Sequence, residues 1–371
     1  AGLNAVGVMQ EGCKNCGDCW SGCNAGSKNT VGITYIVDAF DHGAEIFCES
    51  RVESIAKVQN KWEILVKDLT DVGSHRKTTA GILVLGAGTL GTTELLLRAK
   101  QRGLPLSDML GERFSANGDD LVFAAKLKQP VHAIATGYPP QAPPGTALVG
   151  PHSIARIDLG DASEPICLHD GTMLAMMASL APFKEILKGS FRRALRLIRG
   201  GIYGDEHSRT QIFYIVAHDD ASGRLKLHKD QVIVDWPEYS DSPERVATEQ
   251  KVKAIIEGMG GEFHTNHFAL KVFGGNRIIA HPMGGCAMAE TADRGVIAAD
   301  GRVFDPTKGN KGVHEGLYVC DGAAIPTSIG VSPLLTITAL AERSMMLAAD
   351  RLGRKLDVDS SPVRPDRDAT M

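Results

Sequence analysis

Four of the eight cysteines lie in one short run: Cys13, Cys16, Cys19 and Cys23, spaced C-x2-C-x2-C-x3-C. Thiolates this close can converge on one metal, and the spacing is that of a ferredoxin-type Fe–S run, with Asn24 where proline usually follows. Zinc is a second reading and a cysteine-rich loop without metal is a third. A different chemistry attaches to Gly86, Gly88 and Gly91 in GAGTLG. This G-x-G-x-x-G follows an apolar strand and opens a helix, where backbone N–H groups can face a diphosphate. A third set lies near the C-terminus. His281 in HPMGGC carries an imidazole that can accept or share a hydroxyl proton. Asp321-Gly322 ends the apolar run GLYVC, and Ser332-Pro333-Leu334 opens a helical pattern. A helix N-terminus there favours negative charge.

These groups must be positioned by alternating strands and helices. TVGITYIVDAFDHG reads as a helix closed by Gly43, and EIFCES, RVESIAKV and KWEILVKD read as strands. GILVLGAGTLGTTELLLRAK gives strand, glycine turn and helix. An acidic partner about 20 residues further on, as a dinucleotide fold needs, is not evident: Asp108 and Glu112 fall in the loop-like DMLGERFSANGDD. A close-packed strand–helix turn therefore competes with cofactor contact, and a nicotinamide enzyme is the least favoured reading. PVHAIATGYPPQAPPGTALVG is loop-like. MLAMMASLAPFKEILKGSFRRALRLIRGG reads as one or two helices interrupted around Pro182. Its Met-rich part suits a core or an apolar cavity. Its RRALRLIR part is a solvated basic face or a docking face for an anionic membrane surface, the former being commoner. Strands and a turn at Ala221-Ser222-Gly223 follow, then the helix ERVATEQKVKAIIEGMGG and a final helix from SPLLTI onward.

The chain has 371 residues with 43% apolar and 23% charged residues, an ordinary globular balance. Its net charge of -4 argues against nucleic acid as a partner. The first residues show no basic segment followed by an apolar run, so a cytoplasmic location is expected. Cys48, Cys167, Cys286 and Cys320 are isolated and read as buried thiols.

Five pieces occur in an order that resembles the glucose–methanol–choline (GMC) oxidoreductases, in the bacterial cholesterol-oxidase-like branch. They are NAGSKNT (24–30), GAGTLGTTELLLRA (86–99), HDDASGRLKL to VDWP (218–237), HPMGGC (281–286) and GLYVCDGAAIPTSIGVSPLLTITALAER (316–343). The resemblance implies an α/β (α+β) chain: a partial Rossmann-like FAD-binding domain and a substrate domain with an antiparallel sheet and helices. It divides the chain at 1–120, 121–270, 271–355 and a tail, 356–371. It implies oxidation of an alcohol CH–OH group, with a sterol or other bulky apolar alcohol as substrate and FAD as acceptor. His281 and Ser332 become the catalytic candidates; Gly86, Gly88, Asp321, Gly322, Pro333 and Leu334 become the FAD candidates. The family usually carries Asn or His where this chain has Ser332. It also opens with a strand–GxGxxG–helix unit that this sequence lacks ahead of residue 80. The resemblance therefore suggests a fragment, a partner chain that supplies this FAD-binding segment, or a protein that does not bind FAD in the usual way. A rival reading is an Fe–S electron-transfer subunit built on Cys13–Cys23 beside a flavin-bearing partner; another is a remnant that keeps only the fold.

Overall fold

The computed structural model describes residues 1–371 apart from 72, 141, 161–164, 188, 237–241, 266–278, 355 and 357–371. The polar tail expected after residue 355 lies almost wholly outside the described residues. In chain order the elements begin with a two-residue ladder, β1 (Gly2–Leu3) on β2 (Met9–Gln10), and the short helix α1 (Tyr35–Asp41). An antiparallel meander follows, β3 (Ser50–Val58), β4 (Lys61–Asp68) and β5 (His75–Ala80). β6 (Leu83–Leu85) leads into α2 (Gly88–Gln101). The middle of the chain holds β7 (Asp120–Ala125), β8 (Arg156–Leu159), β9 (Ile166–Gly171), α3 (Ala175–Leu187), α4 (Phe191–Gly200), α5 (Asp205–Ser208) and β10 (Gln211–Ala217). The hairpin β11 (Arg224–His228) and β12 (Gln231–Asp235) precedes α6 (Pro243–Gly258) and β13 (Glu262–Thr265). β14 (Arg302–Phe304), β15 (Val313–Val319) and α7 (Leu334–Arg351) complete the fold.

Two cores result, and the α+β reading holds. The first joins distant parts of the chain. Ile55 and Trp62 of the meander and Leu95 and Leu96 of α2 pack with Val296, Val303, Leu317 and Val319. Here β15 pairs in parallel with β6, Tyr318 beside Val84. The second core belongs to an antiparallel five-stranded sheet ordered β13-β7-β10-β9-β8. Side chains alternate across a strand, so this sheet feeds two faces. Val122, Phe213 and Ile215 meet Val252 and Ile256 of α6 on one face. Leu121, Phe123 and Ile212 meet Met173 and Ala178 on the other, beside Tyr214.

Three local expectations change. Residues 45–49 are not a strand: only Ser50 of EIFCES joins β3, after Glu49 takes a left-handed φ of 49°. The third strand of the meander is instead β5, whose polar, exposed HRKTTA carries no apolar alternation to announce an edge strand. Pro182 lies inside α3, and the break before α4 comes near Gly189, at φ +76°. A glycine in the left-handed region stops a helix more surely than a proline that removes one hydrogen bond.

Trp62 is fully buried, and its indole N–H donates to the Glu315 carbonyl at 3.2 Å. It thus bolts the meander to β15. Trp62→Ala should cost about 3–5 kcal/mol, read as a lowered midpoint in denaturant unfolding.

Candidate active site

The turn just ahead of β7 organises the site. Asp119 has no exposed side-chain surface. One of its oxygens accepts the backbone N–H groups of Ala280 and His281, each at 2.7 Å. The other accepts Nδ1–H of His281 at 2.8 Å. The acceptor-only carboxylate therefore places the imidazole proton on Nδ1. Nε2 makes no hydrogen bond to a described residue and keeps its lone pair. The Tyr214 hydroxyl lies 3.3 Å from Nδ1, and the two rings meet edge to face with centroids 5.7 Å apart.

Two residues earlier, fully buried Asn117 holds a second loop. Its Oδ1 accepts from Ile329 N and Gly330 N at 2.9 and 3.1 Å, and its Nδ2 donates to Val331 O at 2.7 Å. Ser332, the next residue, is exposed. One turn thus holds the loops that carry both catalytic candidates. Asp219 holds the turn itself, accepting from Ser115 Oγ, Ala116 N and Gly118 N at 2.9–3.0 Å. Burial pushes the Asp219 carboxyl above the usual range despite these donors. Gly118 has φ +61°, and a Cβ there would meet the Ala217 carbonyl oxygen at 2.6 Å. No other residue fits this turn without moving β10.

The glycine turn, the His281 loop and Asp321 come together. Thr89 Oγ donates to Pro282 O at 2.7 Å, and Gly284 N donates to Gly322 O at 3.0 Å. The Asp321 carboxylate takes the Thr92 hydroxyl and, at 2.9 Å, the Ala323 N–H. It also accepts from Gly88 N–H, so an internal carboxylate caps the N-terminus of α2. Burial pushes this carboxyl up as well. Gly86 and Gly88 remain open, with no atom within 4 Å of the place a Cβ would take. Pro333 is buried, whereas Leu334 and Leu335 at the start of α7 are 65% and 81% exposed. Pro333, at the N-cap of that helix, offers no side-chain hydrogen bond to its first turn.

The cysteine run does not gather. Among the described residues no three His, Cys, Asp or Glu side chains form a metal-ligand group, and this includes Cys13, Cys16, Cys19 and Cys23. The sulfurs of Cys13, Cys19 and Cys23 each accept a separate backbone N–H, from Asn15, His152 and Ser27. The run is spent on docking a loop to the sheet face that carries Tyr214. Thr136 N donates to Cys16 O at 2.8 Å, and Cys16 bridges to Gly150. Trp20 Nε1 donates to His152 Nε2, His152 Nδ1 meets the Thr172 hydroxyl at 3.1 Å, and that hydroxyl donates to Gly17 O. The Trp20 ring also stands edge-on to Tyr214, with centroids 6.5 Å apart. The loop therefore walls the site one ring away from His281. Of the isolated cysteines, Cys167 and Cys286 are buried, Cys320 is half-buried and Cys48 is exposed.

Asp119 and Asn117 were not singled out by sequence. The available signal was N-G-D, a glycine turn flanked by two residues that bond backbone groups, lying directly ahead of an apolar strand.

The fold is thus an α/β chain with a polar-clamped histidine beside a glycine-turned helix. Two GMC oxidoreductase family profiles match, one over residues 1–114 and one over 220–341. The chain belongs to the GMC oxidoreductase family. It is 27% identical to a cholesterol oxidase of Acinetobacter baumannii, over 92% of this chain and 62% of that protein. It is 28% identical to a cholesterol oxidase of Mycobacterium tuberculosis, over 93% of this chain and 60% of that one. It thus spans about three fifths of these relatives. An FAD-dependent oxidoreductase from Chaetomium thermophilum shares the fold, with TM-score 0.55 and 13% identity, over 87% of this chain and 65% of that one.

Asp119→Ala would leave three donors at Ala280 and His281 without a partner. It should cost at least about 1–3 kcal/mol and speed amide exchange at both residues, read by hydrogen-exchange mass spectrometry. A second expectation concerns pH. Burial holds the His152 imidazole down to about 4, from an ordinary 6.5. The unfolded chain therefore takes up this proton before the folded one does. His152's contribution to stability is whole above about pH 6.5 and declines as pH falls toward about 4. Denaturant midpoints across that window should fall less for His152→Gln than for the wild type.

Proposed function

We propose that the chain carries the substrate-oxidising part of a flavin-dependent alcohol oxidoreductase acting on a sterol or other bulky apolar alcohol. The observation that carries this reading is the Asp119–His281 pair. Asp119 fixes the proton on Nδ1, and Nε2 is left as an acceptor without a partner among the described residues. An alcohol hydroxyl seated at Nε2 can give up its proton there as the adjacent C–H bond breaks. The buried carboxylate then stabilises the imidazolium that forms, as it does for any positioned histidine base. The Tyr214 ring stands edge to face with the His281 ring and Trp20 stands behind Tyr214, an aromatic wall that suits a bulky apolar substrate.

FAD, when bound, supplies the acceptor for the hydride. The residues present fit its flavin end: the α7 N-terminus at Pro333-Leu334 can stabilise negative charge, and Gly86 and Gly88 let a ring approach the backbone closely, while Gly322 is packed against Thr89 and Pro282. Asp321 fits a supporting place, since its carboxylate already caps α2. No strand–GxGxxG–helix unit for the ADP half precedes β3 among the described residues. Ser332 stands where an Asn or His is usual in the family. It is exposed next to the clamped 329–331 segment, and its short hydroxyl can share the substrate oxygen only over a small distance.

The test is an anaerobic absorption spectrum with added FAD, followed by addition of a sterol or a long-chain primary alcohol. The flavin bands should appear and then bleach with substrate. His281→Ala should slow bleaching by roughly 10²-fold or more while leaving the FAD bands in place. Bleaching at the wild-type rate would overturn the role of His281. Absence of bleaching by every alcohol, in protein that holds FAD, would overturn the proposed activity.

A further inference from the structure

The α3–α4 hairpin covers the sheet face beside the site and leaves an unusual outer surface. α4 divides its residues into three rows. Ala194 and Leu197 are buried against the protein. Phe191, Leu195 and Ile198, at i, i+4 and i+7, point outward. Arg192, Arg196 and Arg199 form a parallel exposed row one position on. None of these three arginines forms an ion pair with a described residue. On α3 the same spacing recurs: Met176, Leu180 and Phe183 are exposed while Ala178 is buried. These six apolar side chains are 47–68% exposed. Residues at i, i+4 and i+7 share one helix face, so the hairpin shows solvent two apolar stripes, one of them edged with cations.

A solvated helix face is polar, and a basic solvated face needs no phenylalanine or isoleucine on it. Apolar stripes alone would suit a second protein surface. The charge selects differently. Segment 175–200 carries two lysines and four arginines against one glutamate, in a chain whose net charge is -4. Two copies of so cationic a face would repel each other. A sheet of anionic headgroups over hydrocarbon complements both rows together. Among the described residues no helix is long and apolar enough to cross a membrane, so the contact is interfacial.

We propose that the outer face of the α3–α4 hairpin is a docking surface for an anionic lipid bilayer, and that it sets the site over the membrane from which an apolar alcohol is drawn. The second half rests on the function proposed above; the docking itself does not. The hairpin's inner side supports the link. Ala178 and Met177 pack in the cluster that includes Tyr214, whose hydroxyl reaches His281. Apolar contact thus runs from the exposed stripe through one layer of side chains to the catalytic candidate.

The experiment is cosedimentation of the full chain with phosphatidylcholine vesicles, with and without phosphatidylglycerol, at low and high salt. The wild type should bind the anionic vesicles and bind the neutral ones far less. Arg192→Glu/Arg196→Glu/Arg199→Glu should weaken anionic binding about a hundredfold. Phe191→Ser/Leu195→Ser/Ile198→Ser keeps the charges and should leave only weak binding that salt fully displaces. All six positions are exposed, and circular dichroism with denaturant midpoints checks that both variants fold as the wild type does. No binding to anionic vesicles, or binding that both folded variants retain, overturns the proposal. So does self-association in sedimentation velocity that the apolar variant abolishes without any vesicle binding, which makes the face an interface between copies. Vesicle binding needs neither flavin nor turnover. Docking without alcohol oxidation would therefore refute the proposed activity and leave the docking surface standing.

Discussion

The structure depends on a buried polar turn at residues 115–119. Asn117 and Asp119 are two residues apart, yet one grips the loop at 329–331 and the other the backbone at 280–281. Their oxygens and nitrogens are almost fully used, and Asp219 beneath them is used in turn. In a low-dielectric interior each of these bonds is costly to leave unmade. That cost is what makes the arrangement unique: a register slip in either loop would strand several donors at once. The imidazole of His281 inherits its orientation from this network and not from its own loop, whose Pro-Met-Gly-Gly sequence has little power to orient a side chain.

The same economy appears where cofactor chemistry was expected. The N-terminus of α2 follows a G-x-G-x-x-G and would ordinarily be open to a phosphate. Here a carboxylate from the end of β15 takes that position. The capped helix ties β6, α2 and the His281 loop into one rigid junction. The start of α7 is the contrasting end: Pro333 offers it no side-chain cap, and Leu334 and Leu335 are exposed among the described residues.

Much of this was legible in the sequence, and the failures share a cause. Long amphipathic or apolar segments gave α2, α6, α7, β4 and β10 because burial follows hydrophobic period. His281 and Asp321 were singled out through the family resemblance, and the structure brings their loops together at the start of α2. Asn117 and Asp119 were hidden because a buried polar side chain looks in sequence like an exposed turn residue; only the tertiary partners 161 to 214 residues away reveal the difference. The cysteine spacing was legible as a pattern but not as a site. In the structure Cys13, Cys19 and Cys23 each accept a separate backbone N–H, and Cys16 and Gly17 are held against residues 135, 149, 150 and 172. β5 escaped notice because an edge strand exposed to water needs no apolar face.

The first core has a consequence for how the chain comes to be folded. Its walls are residues 55–110 and 286–324, and the five-stranded sheet lies between them in sequence. Most strand partners within that sheet are close in the chain, so it can close early. The first core cannot. During synthesis Trp62, Leu95 and Leu96 emerge long before Val296 and Leu317 exist to cover them, and the closing loop spans more than half of the polypeptide. Residues 55–110 therefore wait with their apolar surface uncovered until residues 286–324 have left the ribosome, and over that interval this surface is the one open to misassociation.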